Sequence, residues 1–432
     1  MTQTMNPRSA IVELSRSLKE PEVLARARVE ALDAYLGSPS PDRVTHLWRY
    51  TDPKELLLSE DSIQAASAAS VTVAPGIPRG FQELLSRQEL SGAVFLDGAG
   101  PPRMLRAPEG DGVILEDLRE ADAGREHLGR LVGCRVDSRG HGKLEALNLA
   151  LWSQGVYLRV PRNVQVHKPI HVWLRVPEAP YLATRLIVVL EEGAELTLID
   201  ECEGGGEGGK LNSVVEIFAG QGSRLRYVSV QRLGFSMSYH VTQRISVGRD
   251  SNVLTALASL GSGVTKADLG SYLEGPGANV ELVGFLCGEG KQHFDHHTIH
   301  DHRAAHTYSD LDFKVVLKDK ARSAYTGLIR IEPDAPQSEA YQENRNLLLS
   351  EGAKAESIPE LEILTDDVKC THGATMGNLD PEHLFYLMSR GLPRGEALRL
   401  IVGGFIEPTL SRLPEDLRAR LRDHVEDRIK EL

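Results

Sequence analysis

The sequence is short of rings, cysteine, positive charge and long apolar runs, and each shortage excludes something. Aromatic residues are only 5% of 432, with 3 Trp and 9 Phe. The cysteines are Cys134, Cys202, Cys287 and Cys370, each far from the others, with no CxxC pair. That excludes a zinc ribbon or a self-contained ferredoxin-type cluster site, and reduced cytosolic thiols are expected rather than a disulfide framework. Lys and Arg number 49 against 61 Asp and Glu, a net charge of −12. This argues against broad nucleic-acid binding and against an anionic membrane surface as partner. No window approaches the ~18 apolar residues of a membrane span. The opening MTQTMNPRSAIVELSRSLKEPE lacks the apolar stretch of a signal peptide. A cytoplasmic protein is the expectation. There is no P-loop and no G-x-S-x-G elbow. The run Gly204–Gly209 carries an acid and reads as a turn between strands.

Glycine, by contrast, is abundant at 40 residues. Helical spacing marks two N-terminal helices separated near Pro21, and Ala146–Ser153 reads as another. Ala93–Leu96 and Gly112–Leu115 suggest strands within an otherwise mixed stretch from about 75 to 140. From about Gly155 short β-type runs alternate with Gly-containing turns. EEGAELTLI, GQGSRLRYV, GRDSNVLTA and GPGANVELV share a pattern anchored on Gly193, Gly222, Asp250 and Gly277, at steps of 29, 28 and 27, with a looser echo at Gly352. A steady period near 28 marks stacked units, each too small to bury its own apolar face. Tight corners favour Gly, and a narrow interior favours aliphatic side chains over rings. The expected fold is mainly β, a parallel β-helix core with helical ends; an antiparallel sandwich with regular turns is the alternative. The expected divisions are 1–150 (helical and mixed), 151–379 (β-helix) and 380–432 (helical). In the last, Asp380-Pro381-Glu382 starts a helix closed by Gly391, Glu396–Phe405 makes a second, and Leu417, Leu421, Val425 and Ile429 stripe a third from Pro414. The charged face of that third helix is either solvated or a docking surface.

Two constellations could carry chemistry. KQHFDHHTIHDHRAAH holds His293, His296, His297, His300, His302 and His306. In a strand His296, His300, His302 and His306 share one face, either as a solvated ladder or as a metal site formed around His296, His300 and His302. DDVKCTHGATMG puts Cys370 and His372 two apart, on one face of a strand. Thiolate and imidazole suit soft or borderline metals and iron–sulfur chemistry, yet two ligands cannot complete a four-coordinate site. A β-helix enzyme acting on polysaccharides, or a His-rich metalloprotein, are the readings from other classes. The first lacks an evident carboxylate pair and the aromatic platforms that bind sugar rings.

The stretches FKVVLKDKARSAYTGLIRI, YQENRNLLLSEGAKAESIPELEI, DDVKCTHGATMG, FYLMSRGLPRGEA and GGFIEP, with WRYTD at Trp48–Asp52, closely resemble the SufB/SufD family of iron–sulfur cluster assembly proteins. The likeness covers most of the chain and is strongest over about 300–407. It implies a right-handed parallel β-helix and a non-catalytic scaffold subunit. The implied partners are a SufB-type subunit (or a second copy, as a homodimer) and a SufC-type ABC ATPase docked on the C-terminal helical region, to which GGFIEP contributes Phe405, Glu407 and Pro408. SufB-type sequences carry a Cys soon after an RN dipeptide, where this chain has Ser350, and read C-x-H-E-A-T, where this chain has Gly373 after His372. Both departures point to the SufD branch. There the resemblance implies that His372, with a lesser role for Cys370, joins a partner's cysteine in holding a transient iron–sulfur cluster at the subunit interface.

Overall fold

A computed structural model of the chain describes residues 6–68, 76–87, 89–98, 100–120, 132–133, 135–136 and 142–431. From Gln154 onward, successive strands alternate between two facing sheets, so strands two apart in sequence lie side by side and parallel. This is a parallel β-solenoid, and the antiparallel sandwich is excluded. Leu196, Leu225, Val253 and Val280 stack in one inward-facing row of the main core, each three residues after a corner. Their steps are the 29, 28 and 27 seen in the sequence. The corners themselves stack. Gly193, Gly222, Asp250, Gly277, His306 and Gln337 all have φ between +53° and +75°, and each N–H from Gly193 to Gln337 donates to a carbonyl of the next coil.

Three expectations change here. His306 is not on a strand: the strand ends at His302, and His306 takes a left-handed corner with φ +60°. Gly352 does not continue the Gly277 row. Its corner packs on Asp319, at the opposite edge of the solenoid. The interior also admits rings, with Tyr227, Tyr239, Phe294, Phe313 and Tyr325 among its aliphatic side chains.

The first coil begins earlier than the repeat. Gly92–Leu96 pairs in parallel with Ile170–Val176 and antiparallel with Arg103–Arg106, while Ile114–Asp117 pairs antiparallel with Gln154–Val160. Ile114–Asp117 starts two residues later than the expected run Gly112–Leu115, because Gly112 sits in a turn with φ +73°. Helices Pro7–Ser17, Glu22–Gly37 and Lys143–Leu151 cover the outer face of the nine-stranded sheet through Ile11, Leu32, Leu147, Tyr181 and Ile187. Helices Arg394–Leu410 and Glu415–Glu431 cover the ten-stranded sheet. Val402, Ile406, Leu417, Leu421 and Val425 bury against Val228, Ala256, Val283 and Phe285 there. The side chain of Ile429, and Cys134, lie outside what is described. Among the described residues no helix is long and apolar enough to cross a membrane.

Candidate functional site

Each sheet ends on a strand that is bonded on one side only: Lys354–Ile363 and Val368–Asn378. The inward positions of an inner coil are sealed by the next coil. On this last coil they are open. Leu361, Ile363 and Met376, inward by register, are 38%, 40% and 56% exposed. Cys370 and His372 lie in register with Ala340 and Gln342 of the preceding coil, and so share this open inner face. Two residues of strand place them about 7 Å apart along the chain. Cys370 is half-buried against Ile329, Ile331, Ala335 and Ala340, and burial pushes its thiol up from the ordinary range. His372 is exposed. The other described cysteines are sealed: Cys202 inside the solenoid and Cys287 beneath the C-terminal helices, both with raised thiol pKa values from desolvation. Ser350 sits at the corner leading into the last coil and its carbonyl accepts from Ala353 N–H. One thiol and one imidazole on an open face can supply two ligands to a group that another surface completes.

The histidine-rich strand His293–His302 sends alternate side chains in and out. His296, His300 and His302 point inward and are 0%, 2% and 0% exposed, so the solvated ladder is excluded. His296 Nε2 lies 3.1 Å from Ser259 Oγ, and His302 bridges Thr307 and Ser309 at 2.7 and 2.8 Å. Burial holds His296 and His302 down to about 3 and His300 to about 4. Among the described residues no group of three or more His, Cys, Asp or Glu side chains is placed to hold a metal ion. The outward residues serve another purpose, which the sequence did not reveal: they fasten the WRYTD segment. Thr51 Oγ1 donates to Asp295 Oδ2 at 2.5 Å and sits 3.0 Å from His293 Nε2. His297 Nε2 is 2.7 Å from Asp295 Oδ1, and Lys266 reaches Asp295 at 3.1 Å while lying over the Trp48 ring.

At the C-terminal end, Phe405 is partly buried in the helix–sheet core with Lys314 Nζ 5.3 Å from its ring centre. Glu407 accepts from Arg422 at 2.7 and 2.8 Å, and Pro408 is exposed within its helix. Phe385, Tyr386, Met388 and Leu400 stand 73%, 57%, 42% and 56% exposed on helices Pro381–Ser389 and Arg394–Leu410. Helical periodicity finds these helices but does not show which apolar residues stay uncovered.

Comparison with known proteins bears on this geometry. The family described as "SUF system FeS cluster assembly, SufBD core domain" matches residues 175–405, more than half of the chain. The iron–sulfur cluster assembly protein SufD of Bacillus subtilis is 29% identical, covering 96% of this chain and 96% of that protein. SufB of the same organism is 27% identical over 94% of this chain and 89% of its own. A SufBD family protein of Staphylococcus epidermidis is 27% identical over 94% and 89%. The chain belongs to the SufBD family of iron–sulfur cluster assembly proteins. Its likeness falls on the SufD branch, as Ser350 and Gly373 also indicate.

Proposed function

We propose that this chain is a SufD-like scaffold subunit, without catalytic activity of its own, that joins a SufB-type subunit along the open last coil. The carrying observation is that Cys370 and His372 share this unsealed face with the exposed apolar Leu361, Ile363 and Met376. An uncovered edge strand is a template for strand pairing, and natural sheets blunt such edges with Pro and charge. Lys354–Ile363 has Pro359 and three Glu, whereas Val368–Asn378 has no Pro and Lys369 as its only formal charge. That asymmetry supports Val368–Asn378 as the partner edge, for a SufB-type subunit or for a second copy when the chain is alone. His372, and to a lesser degree Cys370, would lend ligands to a nascent iron–sulfur cluster that the partner completes. Neutral imidazole holds such a cargo more weakly than thiolate, which suits onward transfer. A SufC-type ATPase would dock on the C-terminal helices, which carry Phe405, Glu407 and Pro408 and the exposed Phe385, Tyr386, Met388 and Leu400.

The test is anaerobic co-expression with SufB- and SufC-type partners, followed by iron and sulfide analysis of the purified complex. His372→Ala is expected to leave the complex assembled but strip it of cluster. A fully loaded His372→Ala complex would remove His372 from the proposal.

A further inference from the structure

The chain is acidic overall, yet one groove on it is basic. It has a volume of about 670 Å³ and runs between the WRYTD segment and the entry corners of successive coils. Its cations are Arg43, Arg49, Lys291, Lys320, Arg322 and Lys354, opposed by Asp52, Glu55 and Glu356.

The solenoid sets their spacing. His293, Arg322 and Lys354 are the first residues of three neighbouring strands and lie in register. The preceding corners stack as well: Lys320 N–H donates to Gly290 O and Arg322 N–H to Gln292 O. Neighbouring rungs of a parallel sheet are about 4.8 Å apart. Arg322 and Lys354 are therefore positive charges on adjacent rungs, with Lys320 at the corner beside Arg322, an arrangement suited to a run of phosphoryl groups more than to one carboxylate.

None of the six cations forms an ion pair with a described carboxylate. Arg43 Nε instead donates to the carbonyl of Arg49 at 3.1 Å. Six cations facing three carboxylates, one of which (Glu356) is hydrogen-bonded to the Tyr50 hydroxyl, leave a net positive local potential that attracts an anion. The far wall is fixed in advance, since Thr51 is buried on Asp295 and Trp48 lies beneath Lys266. Between those anchors Tyr50 lines the groove, with the Arg49 guanidinium 5.7 Å from its ring centre. A ring beside such cations offers a stacking face next to phosphate contacts. The size is that of a small-molecule site.

We propose that this groove binds a nucleoside polyphosphate, its phosphates along Lys320, Arg322 and Lys354 and its base against Tyr50. Lys354 and Glu356 open the last-coil strand Lys354–Ile363, but the groove includes neither Cys370, His372 nor any residue of Val368–Asn378, and the proposal does not depend on the cluster assignment.

The experiment is anisotropy titration of the full chain with a fluorescent methylanthraniloyl-ADP, with inorganic triphosphate and poly-glutamate as competitors. Saturable binding is expected, weakening as salt rises, with triphosphate the better competitor. Lys320→Ala/Arg322→Ala should weaken it at least about tenfold, because guanidinium–phosphate bonds are charge-assisted. Both side chains are exposed, so the melting temperature should stay put. Arg394→Ala/Arg399→Ala, which removes the same charge elsewhere, should change nothing. Tyr50→Leu should weaken the nucleotide but not triphosphate. Absence of saturable binding, or equal losses in the two double variants, would overturn the proposal. So would stronger competition by poly-glutamate, which would make the groove a dock for an acidic polypeptide.

Discussion

At His300 an imidazole is 2% exposed inside the solenoid, and neither ring nitrogen has a hydrogen-bond partner among the described residues. Burial lowers its pKa from 6.5 to about 4. Between those values the unfolded chain takes up a proton that the folded chain refuses. Stability at this site is therefore complete above pH 6.5 and falls as the pH drops, by about 1.4 kcal/mol per unit, until the folded pKa is passed. His296 and His302, held near 3, act in the same direction; Asp200, raised to about 6 by burial, acts against them. Replacing His300 by Leu removes one such group and an unpaired buried dipole. Urea unfolding of His300→Leu should show stability equal or higher at pH 7.5. Between pH 4.5 and 6 its loss should be shallower by about 1.4 kcal/mol per unit. An unchanged slope would mean that His300 is protonated in the fold. The sequence showed six histidines but not this, because alternation gives two faces without saying which one is sealed.

The corners are the elements on which the solenoid depends, and there the sequence was most legible. A left-handed corner leaves a mark wherever Gly or Asp fills it, and so the period could be read from Gly193 to Gly277. It vanished at His306 and Gln337, which hold the same conformation without the usual residue type. Gly275 is a different case. Its φ is ordinary, but a Cβ there would lie 2.0 Å from the backbone nitrogen of Arg249 in the neighbouring coil. Gly275→Ala must push two coils apart and is expected to cost about 1–3 kcal/mol. Gly403, inside helix Arg394–Leu410, has nothing among the described residues within 4 Å of its would-be Cβ. Gly403→Ala should stabilise by about 1 kcal/mol from helix propensity alone. Paired urea midpoints check both, and similar shifts for the two variants would refute close coil contact as the cause. The Cys370–His372 pair was legible by the same strand logic. What its spacing could not reveal was that no further coil covers it, which only the count of turns determines.

For the whole molecule, the decisive question is whether the C-terminal helices, which cover the solenoid, also form the proposed docking surface. Deleting everything after Leu379 looks like the direct test of ATPase docking, but the structure argues against reading it that way. Val402, Ile406, Leu417, Leu421 and Val425 seal an outer sheet face made of Val228, Ala256, Val283 and Phe285. Removing the helices would bare that whole face, and a large exposed apolar patch leads to aggregation. Lost co-purification would then report unfolding as readily as a lost interface. The separable surface is the one that already faces solvent: Phe385 and Leu400, 73% and 56% exposed. Since neither is buried in the chain alone, Phe385→Ser/Leu400→Ser should leave stability within about 0.5 kcal/mol of the parent. Docked against a partner, a large ring at the centre of an interface is the kind of residue that dominates affinity, often by 2 kcal/mol or more. The double variant should therefore keep its melting temperature and lose the ATPase in pull-down, while the truncated chain should be recovered mainly as aggregate. Retention of the ATPase by the double variant would move the docking surface away from helix Pro381–Ser389, towards Phe405 and Pro408.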